Sequence, residues 1–298
     1  MASPEHNALV TKLRSASLSS ASQTVEEIRA GWERFAAAFP AAADIGFEAQ
    51  DAGGVPCEWV SASDAHPDRV ILYFHGGGYN IGTLESYRNF TGHLARATRS
   101  RLLAVGYRLA PEYPFPAAVD DAVASYQWLL SQGISSDRIM LMGDSAGGGL
   151  ALATAIALRD ASVPLPVSVV AISPSTDLAK EGTSNRERAH LDPIVNHESS
   201  MAHALRYVGD TGKLKEPLAS PLYADLHGLP PLLILAGTHD TLFDDSTRFA
   251  EKAAAAGVEV ELDIWEEMIH VWPLFSDILP EGREAIGKIG RYVDARMS

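Results

Sequence analysis

The amino-acid sequence predicts an α/β fold in which helices cover both faces of a largely parallel sheet. Two observations carry that prediction. Several short runs, including residues 70–74 and 232–236, are apolar almost throughout, as strands buried on both faces must be. The later runs also alternate with segments whose apolar residues recur at helical spacing.

Strands are expected at residues 45–50, 55–60, 69–74, 101–106, 138–143, 167–173, 232–236 and 258–264. The first two are close together and more polar, which predicts an antiparallel edge hairpin around the turn Asp51-Ala52-Gly53-Gly54. A helix over 116–132 places Val119, Val123, Tyr126, Leu129 and Leu130 on one face, with Pro116 opening it and Gly133 closing it. Residues 146–160 and 244–256 read the same way, with Asp244 and Asp245 suited to capping the start of the latter. Two regions stand outside the alternation. Residues 1 to about 44 are rich in Ser and Ala and contain an amphipathic helix near 25–39 that presents Ile28, Trp32, Phe35 and Phe39. Residues from about 178 to 217 form a polar insertion between two strands. Taken alone, these regions read as a packing helix and a surface loop.

A chain of 298 residues, 46% hydrophobic and 21% charged, is long enough for a substantial core and short enough for one domain spanning residues 1–298. Its net charge of −14 argues against nucleic acid and against anionic membrane surfaces as partners. The single cysteine, Cys57, cannot form an internal disulfide, and no basic region precedes an apolar stretch at the N-terminus. The expected location is the cytoplasm, with no membrane anchor. His190, His197 and His203 lie close in sequence but lack HExxH spacing and cysteine companions, so no metal site is expected.

The chemistry concentrates in four places. Gly143-Asp144-Ser145-Ala146-Gly147 falls between an expected strand and an expected helix, the context of a nucleophile elbow. Such a turn lifts the serine Oγ out of the backbone, next to the free N–H groups of the helix start. His75-Gly76-Gly77-Gly78 follows the strand at 69–74 and has the form of a loop whose amides point at a developing oxyanion. A dinucleotide-binding turn is excluded there, because the third glycine of GxGxxG would fall at Ile81. Asp240 follows the strand at 232–236, and His270 follows the strand at 258–264. Serine, acid and histidine in that order, each just beyond a strand, match the chain order of a nucleophile–acid–base triad on an α/β sheet.

These motifs, with Tyr107-Arg108-Leu109-Ala110-Pro111-Glu112 and Phe115-Pro116-Ala117-Ala118, make the chain from about residue 45 onward resemble the hormone-sensitive-lipase-like, GDSAG-type branch of the α/β-hydrolase superfamily. Bacterial carboxylesterases belong to that branch. Ser220-Pro221-Leu222-Tyr223-Ala224-Asp225 and His270-Val271-Trp272 also resemble members described as lactone hydrolases. The chain departs from the family pattern at Thr241, where proline is usual, and at Val271, where glycine is usual.

The resemblance implies an α/β-hydrolase fold with a mostly parallel eight-stranded sheet and a helical cap built from residues 1–44 and 178–217. It implies hydrolysis of short- to medium-chain acyl esters by Ser145, His270 and Asp240, with no cofactor. The amides of Gly77, Gly78 and Ala146 are the expected oxyanion hole, and Tyr79 and Asn80 are expected to line the substrate pocket. Asp144 reads as a loop-fixing acceptor, and Arg108 with Glu112 as a structural ion pair. A small-molecule ester or lactone is the expected partner, and homodimerisation is left open. A lactone hydrolase is the nearest alternative. An amidase stands below it, as does a non-catalytic ligand receptor, a class that lacks the histidine present here as His270.

Overall fold

The computed structural model describes residues 2–16 and 23–297, so residues 1 and 17–22 of the expected N-terminal cap segment lie outside the described residues. Strands β1 (Ile45–Asp51) and β2 (Pro56–Ala62) form the expected antiparallel hairpin, with Gln50 opposite Cys57. Beyond it come β3 (His66–Phe74), β4 (Ser100–Val105), β5 (Ile139–Asp144), β6 (Ser168–Ile172), β7 (Leu232–Gly237) and β8 (Val260–Trp265). Together they make one eight-stranded sheet in the order β1-β2-β4-β3-β5-β6-β7-β8. Pairing is antiparallel up to β4 and parallel from β4 through β8.

That order explains where a site can form. From β3 the chain moves outward to β4, then crosses back over β3 to reach β5. The reversal opens a crevice at the carboxyl ends of β3 and β5, the place where open α/β sheets bind ligands. The glycine loop leaves β3 at this edge, and Ser145 leaves β5 beside it.

Side chains of successive strand residues enter opposite faces of the sheet. Val70, Leu72 and Phe74 of β3 join one buried cluster, whereas Ile71 and Tyr73 join the other. In β5, Ile139 and Leu141 face the first side and Met140 and Met142 the second. Because both faces are covered, the strands show no hydrophobic alternation in sequence, which is why they read as continuous apolar runs.

Helices α4 (Ala117–Ser131), α5 (Ala146–Asp160) and α8 (Phe243–Ala255) cover the first face, close to their expected positions. The second face is covered by α3 (Leu84–Thr98) and α9 (Pro280–Arg296), with α1 (Pro4–Ala16) beside them. These three were not singled out in the sequence. Leu94 and Ala95 of α3 and Ile289 and Val293 of α9 are fully buried. A side chain at Gly290 would meet the backbone carbonyl of Ala97, so this glycine sets the close approach of α9 to α3. Cys57 packs in the core, where burial pushes its thiol up to about 12, far from the range of a reactive cysteine.

Above the carboxyl edge lie α2 (Val25–Ala36), α6 (Ser184–Glu187) and α7 (His197–Val208). A capping box of Thr24 and Glu27 starts α2, and one of Asn196 and Ser199 starts α7. The insertion is therefore no simple surface loop. Ala204, Tyr207 and Val208 of α7 are buried, and Tyr207 stacks on Tyr79 with ring centroids 3.8 Å apart. No helix among the described residues is long and apolar enough to cross a membrane.

Candidate active site

Ser145 sits between the last residue of β5 and the first of α5, with φ 54° and ψ −121°. A non-glycine residue held at positive φ costs on the order of 1–3 kcal/mol and persists only where its surroundings enforce it. Here the backbone N–H of Ser145 donates to Ile172 O at 2.8 Å, and its carbonyl accepts from Ser175 N at 2.9 Å. Both flanking glycines are required by close approach. A Cβ at Gly147 would overlap the carbonyl oxygens of Phe74 and His75, and one at Gly143 would overlap the backbone of Gly147.

Asp240 and His270 arrive on the loops after β7 and β8. Those loops are pinned together by Thr238 N donating to Trp265 O at 2.9 Å and His239 N donating to Met268 O at 3.0 Å. His270 Nδ1 lies 3.0 Å from each carboxylate oxygen of Asp240, and His270 Nε2 lies 2.9 Å from Ser145 Oγ. Asp240 is fully buried and also accepts from Leu242 N at 2.7 Å. The structure thus joins the three residues expected to act together. Burial opposes a charged imidazole at His270, but the Asp240 carboxylate beside it, with Asp192 and Asp144, outweighs that cost and raises its pKa above the ordinary value.

Asp192 had no motif to mark it. It comes from the insertion, is buried, and accepts from Ile194 N at 2.9 Å and from Thr241 N at 3.1 Å. The second bond exists because residue 241 is not the family's usual proline, which has no N–H to give. Burial, then the charge of Asp240, push the Asp192 carboxyl up to about 6. Asp192, Asp240 and His270 place their ligand atoms within 4.8 Å of one another, the one such grouping among the described residues. Within it only His270 and Asp240 are bonded to each other, while Asp192 accepts from the N–H groups of Ile194 and Thr241. Val271, the other departure, takes φ 46°, the region that favours glycine, and its N–H donates to Ser173 Oγ at 3.2 Å.

The expected oxyanion loop curls over this relay. Gly77 and Gly78 have φ of 107° and 61°. No acceptor among the described residues pairs with the backbone N–H of Gly77, Gly78 or Ala146, and all three residues line the same cavity as Ser145 and His270. Asp144 fastens the loop. Its Oδ1 accepts from Gly76 N at 3.0 Å and Tyr73 OH at 2.5 Å, and its Oδ2 accepts from Tyr87 OH at 3.2 Å. Burial pushes this carboxyl up to about 6, against the pull of the Tyr73 hydroxyl and of His270. His75 faces away from the cavity, stacked on Tyr107 at 4.4 Å, and burial lowers its pKa to about 4. Tyr79 lines the cavity, whereas Asn80 does not. The Asn80 amide donates to Gly78 O at 2.6 Å and to His203 O at 3.3 Å, bracing the loop against α7.

The cavity holds about 130 Å³ and is walled by Ile28, Trp32 and Phe35 of α2, by His203 and Ala204 of α7, and by Leu242 and Phe275. The two segments outside the strand–helix alternation therefore converge on Ser145. Arg29 ties α2 down, with Nε donating to Asn80 O at 2.8 Å and a bidentate pair to Glu112 at 2.7 Å. This corrects the expected pairing of Glu112 with Arg108. Arg108 instead forks onto Asp121 in α4, with Nη2 to Oδ1 at 2.7 Å, because Asp121 also accepts the Arg108 backbone N–H and so fixes the fork. The expected capping by Asp244 and Asp245 is corrected as well. Neither caps α8. Asp245 accepts from Thr176 N and Asp177 N at 3.0 Å each, just ahead of the insertion, and Asp244 accepts from Ser184 N within it at 3.0 Å.

The family described as alpha/beta hydrolase fold matches residues 71–274 of the chain. An acetyl-hydrolase of Streptomyces hygroscopicus is 42% identical over 296 residues, covering 98% of this chain and 97% of that one. The carboxylesterase NlhH of Mycobacterium tuberculosis is 36% identical over 228 residues, covering 74% of this chain and 71% of its own length. Among solved structures, an esterase from the bacterial hormone-sensitive lipase family superposes with a TM-score of 0.96 at 44% identity, covering 100% of both chains.

Asp144→Ala should destabilise the chain by roughly 2–4 kcal/mol, because it leaves the Gly76 N–H and two tyrosine hydroxyls buried without an acceptor. Urea unfolding measures this. A loss below about 1 kcal/mol would show that the carboxylate does not fasten the loop.

Proposed function

Because the chain belongs to the α/β-hydrolase family, in its hormone-sensitive-lipase branch, and is a carboxylesterase, we propose that Ser145, His270 and Asp240 form its catalytic triad. The observation that carries the assignment is the unbroken relay from Ser145 Oγ to His270 Nε2 at 2.9 Å and from His270 Nδ1 to Asp240 at 3.0 Å. In this reading Ser145 Oγ attacks the ester carbonyl while His270 takes its proton, and Asp240 holds the imidazole with Nε2 free to accept. The negative charge on the carbonyl oxygen is met by the N–H groups of Gly77, Gly78 and Ala146. Collapse of the intermediate expels the alcohol, protonated by His270, and leaves Ser145 acylated. Water, deprotonated by His270, then attacks the acyl-enzyme, and the serine recovers its proton as the acid leaves.

The cavity of about 130 Å³ supports short- to medium-chain acyl groups, since it is well below the roughly 300 Å³ at which pockets for drug-sized ligands begin. A lactone would use the same residues, with the leaving alcohol kept on the acyl chain. Comparing kcat/KM for lactones and acyclic esters decides between them. Residues 1–44 and 178–217 serve as a cap in this reading, supported by α2 and α7 both walling the cavity. They would shut water out of the relay and limit acyl length.

Three measurements test the assignment. Ser145→Ala and His270→Ala should each lower kcat by roughly 10⁴-fold or more in folded protein, and Asp240→Asn by about 10⁴-fold. Near-native turnover by folded Ser145→Ala would end the proposal. For pH, the imidazole must be neutral to accept a proton, and the carboxylates of Asp240, Asp192 and Asp144 favour its charged form. The activity limb in kcat/KM should therefore rise with pH through an ionisation above the ordinary histidine value, and Asp240→Asn should move that limb downward. Removing residues 1–36 should broaden acyl-length preference and lower the melting temperature, because it strips Trp32 and Phe35 from the cavity wall. An unchanged selectivity profile would deny the segment a capping role.

A further inference from the structure

One charged side chain in the cavity wall has no part in the relay. Lys180 lies in the insertion, its side chain 1% exposed, and it lines the same cavity as Ser145 and His270. Buried lysines are rare and require partners. Its Nζ donates to Ser175 Oγ at 3.3 Å and lies 3.7 Å from Asp245 Oδ2, an ion pair beyond hydrogen-bond distance. Asp245 is turned to the backbone, accepting the N–H groups of Thr176 and Asp177 at 3.0 Å each. Of the three N–H donors that a lysine carries, one is engaged by a hydrogen bond among the described residues.

The backbone works to present this side chain. Lys180 has φ 54°, a region in which glycine would be less strained. Asp177 holds the turn, with Oδ1 accepting from Ala179 N and Oδ2 from Glu181 N at 3.0 Å each, and Arg248 Nη1 fixes Asp177 at 2.9 Å. Ser175, the partner of Lys180, is bonded through its backbone to the Ser145 carbonyl at 2.9 Å. Lys180, Ser175 and Ser145 line one cavity, so the open donors share it with the nucleophile.

Resting on the esterase reading above, we propose that Lys180 and Ser175 form a polar subsite selecting esters that carry a neutral hydrogen-bond acceptor, an ether, carbonyl or hydroxyl oxygen, within a few bonds of the scissile carbonyl. A neutral acceptor fits better than an anion. Asp245 already balances the ammonium, and Asp144, Asp192 and Asp240 are buried around the relay. A further negative charge would be repelled by this surrounding, whereas a neutral oxygen uses the open donors at no electrostatic cost.

The test compares p-nitrophenyl hexanoate with its analogues in which one inner methylene of the acyl chain is replaced by oxygen, and with the p-nitrophenyl monoester of adipic acid. Butyl acetate against methoxyethyl acetate probes the alcohol side. Each ratio of kcat/KM is measured in the native chain, in Lys180→Met, and in Lys180→Met with Asp245→Asn. The double variant removes the buried carboxylate's charge together with its cation, which preserves a folded protein if the single variant unfolds. Comparing ratios between proteins cancels the intrinsic reactivity of each ester. The ratio for at least one oxygen-bearing ester over its hydrocarbon partner should fall about tenfold in the variants, and the side on which it falls identifies the acyl or alcohol arm. Ratios within about twofold of the native values in both variants would overturn the subsite, as would a native preference for the adipate monoester over every neutral analogue. Hydrolysis of hexanoate that persists in Ser145→Ala would instead overturn the triad, so the two readings fail separately.

Discussion

The arrangement depends on a buried carboxylate that does no chemistry in the proposed mechanism. Asp144 ends β5, immediately before Ser145, and gathers the Gly76 N–H, the Tyr73 hydroxyl and the Tyr87 hydroxyl. Those three donors belong to the glycine loop, to β3 and to α3. One side chain thereby fixes the distance between the loop that offers free N–H groups and the turn that offers the serine. Removing a charge from water is costly, and here the donors around it offset that cost by holding the two loops in register. The glycines complete the constraint. Without a Cβ at Gly143 and Gly147, the elbow can lie directly against the end of β3.

From that fixed pair the other components follow by strand position. Strands β7 and β8 run parallel to β5 and end at the same edge, so Asp240 and His270 meet Ser145 although they are 95 and 125 residues away in the chain. The N-terminal segment and the insertion are held to this edge by a small number of ties. Arg29 grips the carbonyl of Asn80 and the carboxylate of Glu112, and Asp244 accepts the Ser184 N–H. These ties join the N-terminal segment and the insertion to residues next to the relay.

The strands were legible because burial on both faces leaves an apolar run, and all eight lie where the sequence places them. The four chemical motifs were legible because each couples a short residue pattern to a strand end. Helices α3 and α9 were not, since polar residues and a glycine interrupt the apolar stripe of α3 and charged residues that of α9. The capping box of Thr83 and Ser86 and the spacing of Ile286, Ile289 and Val293 would have marked them. Side-chain pairings were less legible still. Glu112 pairs with an arginine 83 residues away on α2, and nothing local distinguishes that partner from Arg108. Asp192 and Lys180 lie in a segment with no motif, and only the closing of the insertion over the sheet gives them neighbours. Asn80 adjoins the glycine loop in sequence yet turns away from the cavity, because its amide is consumed by Gly78 and α7.

The hydrogen bond from Thr241 N to Asp192 joins a residue of the insertion to the loop that carries Asp240. An insertion attached only to its own helices could move and leave the relay untouched. This one cannot lift residues 192–195 without releasing the loop beneath. Lifting the insertion and keeping the Asp240 loop in place thus compete for the same few atoms, a latch more than a door. Drift in the insertion's sequence meets the same restriction. A change on its outward surface leaves this bond alone, whereas one at Asp192 reaches the loop that carries Asp240.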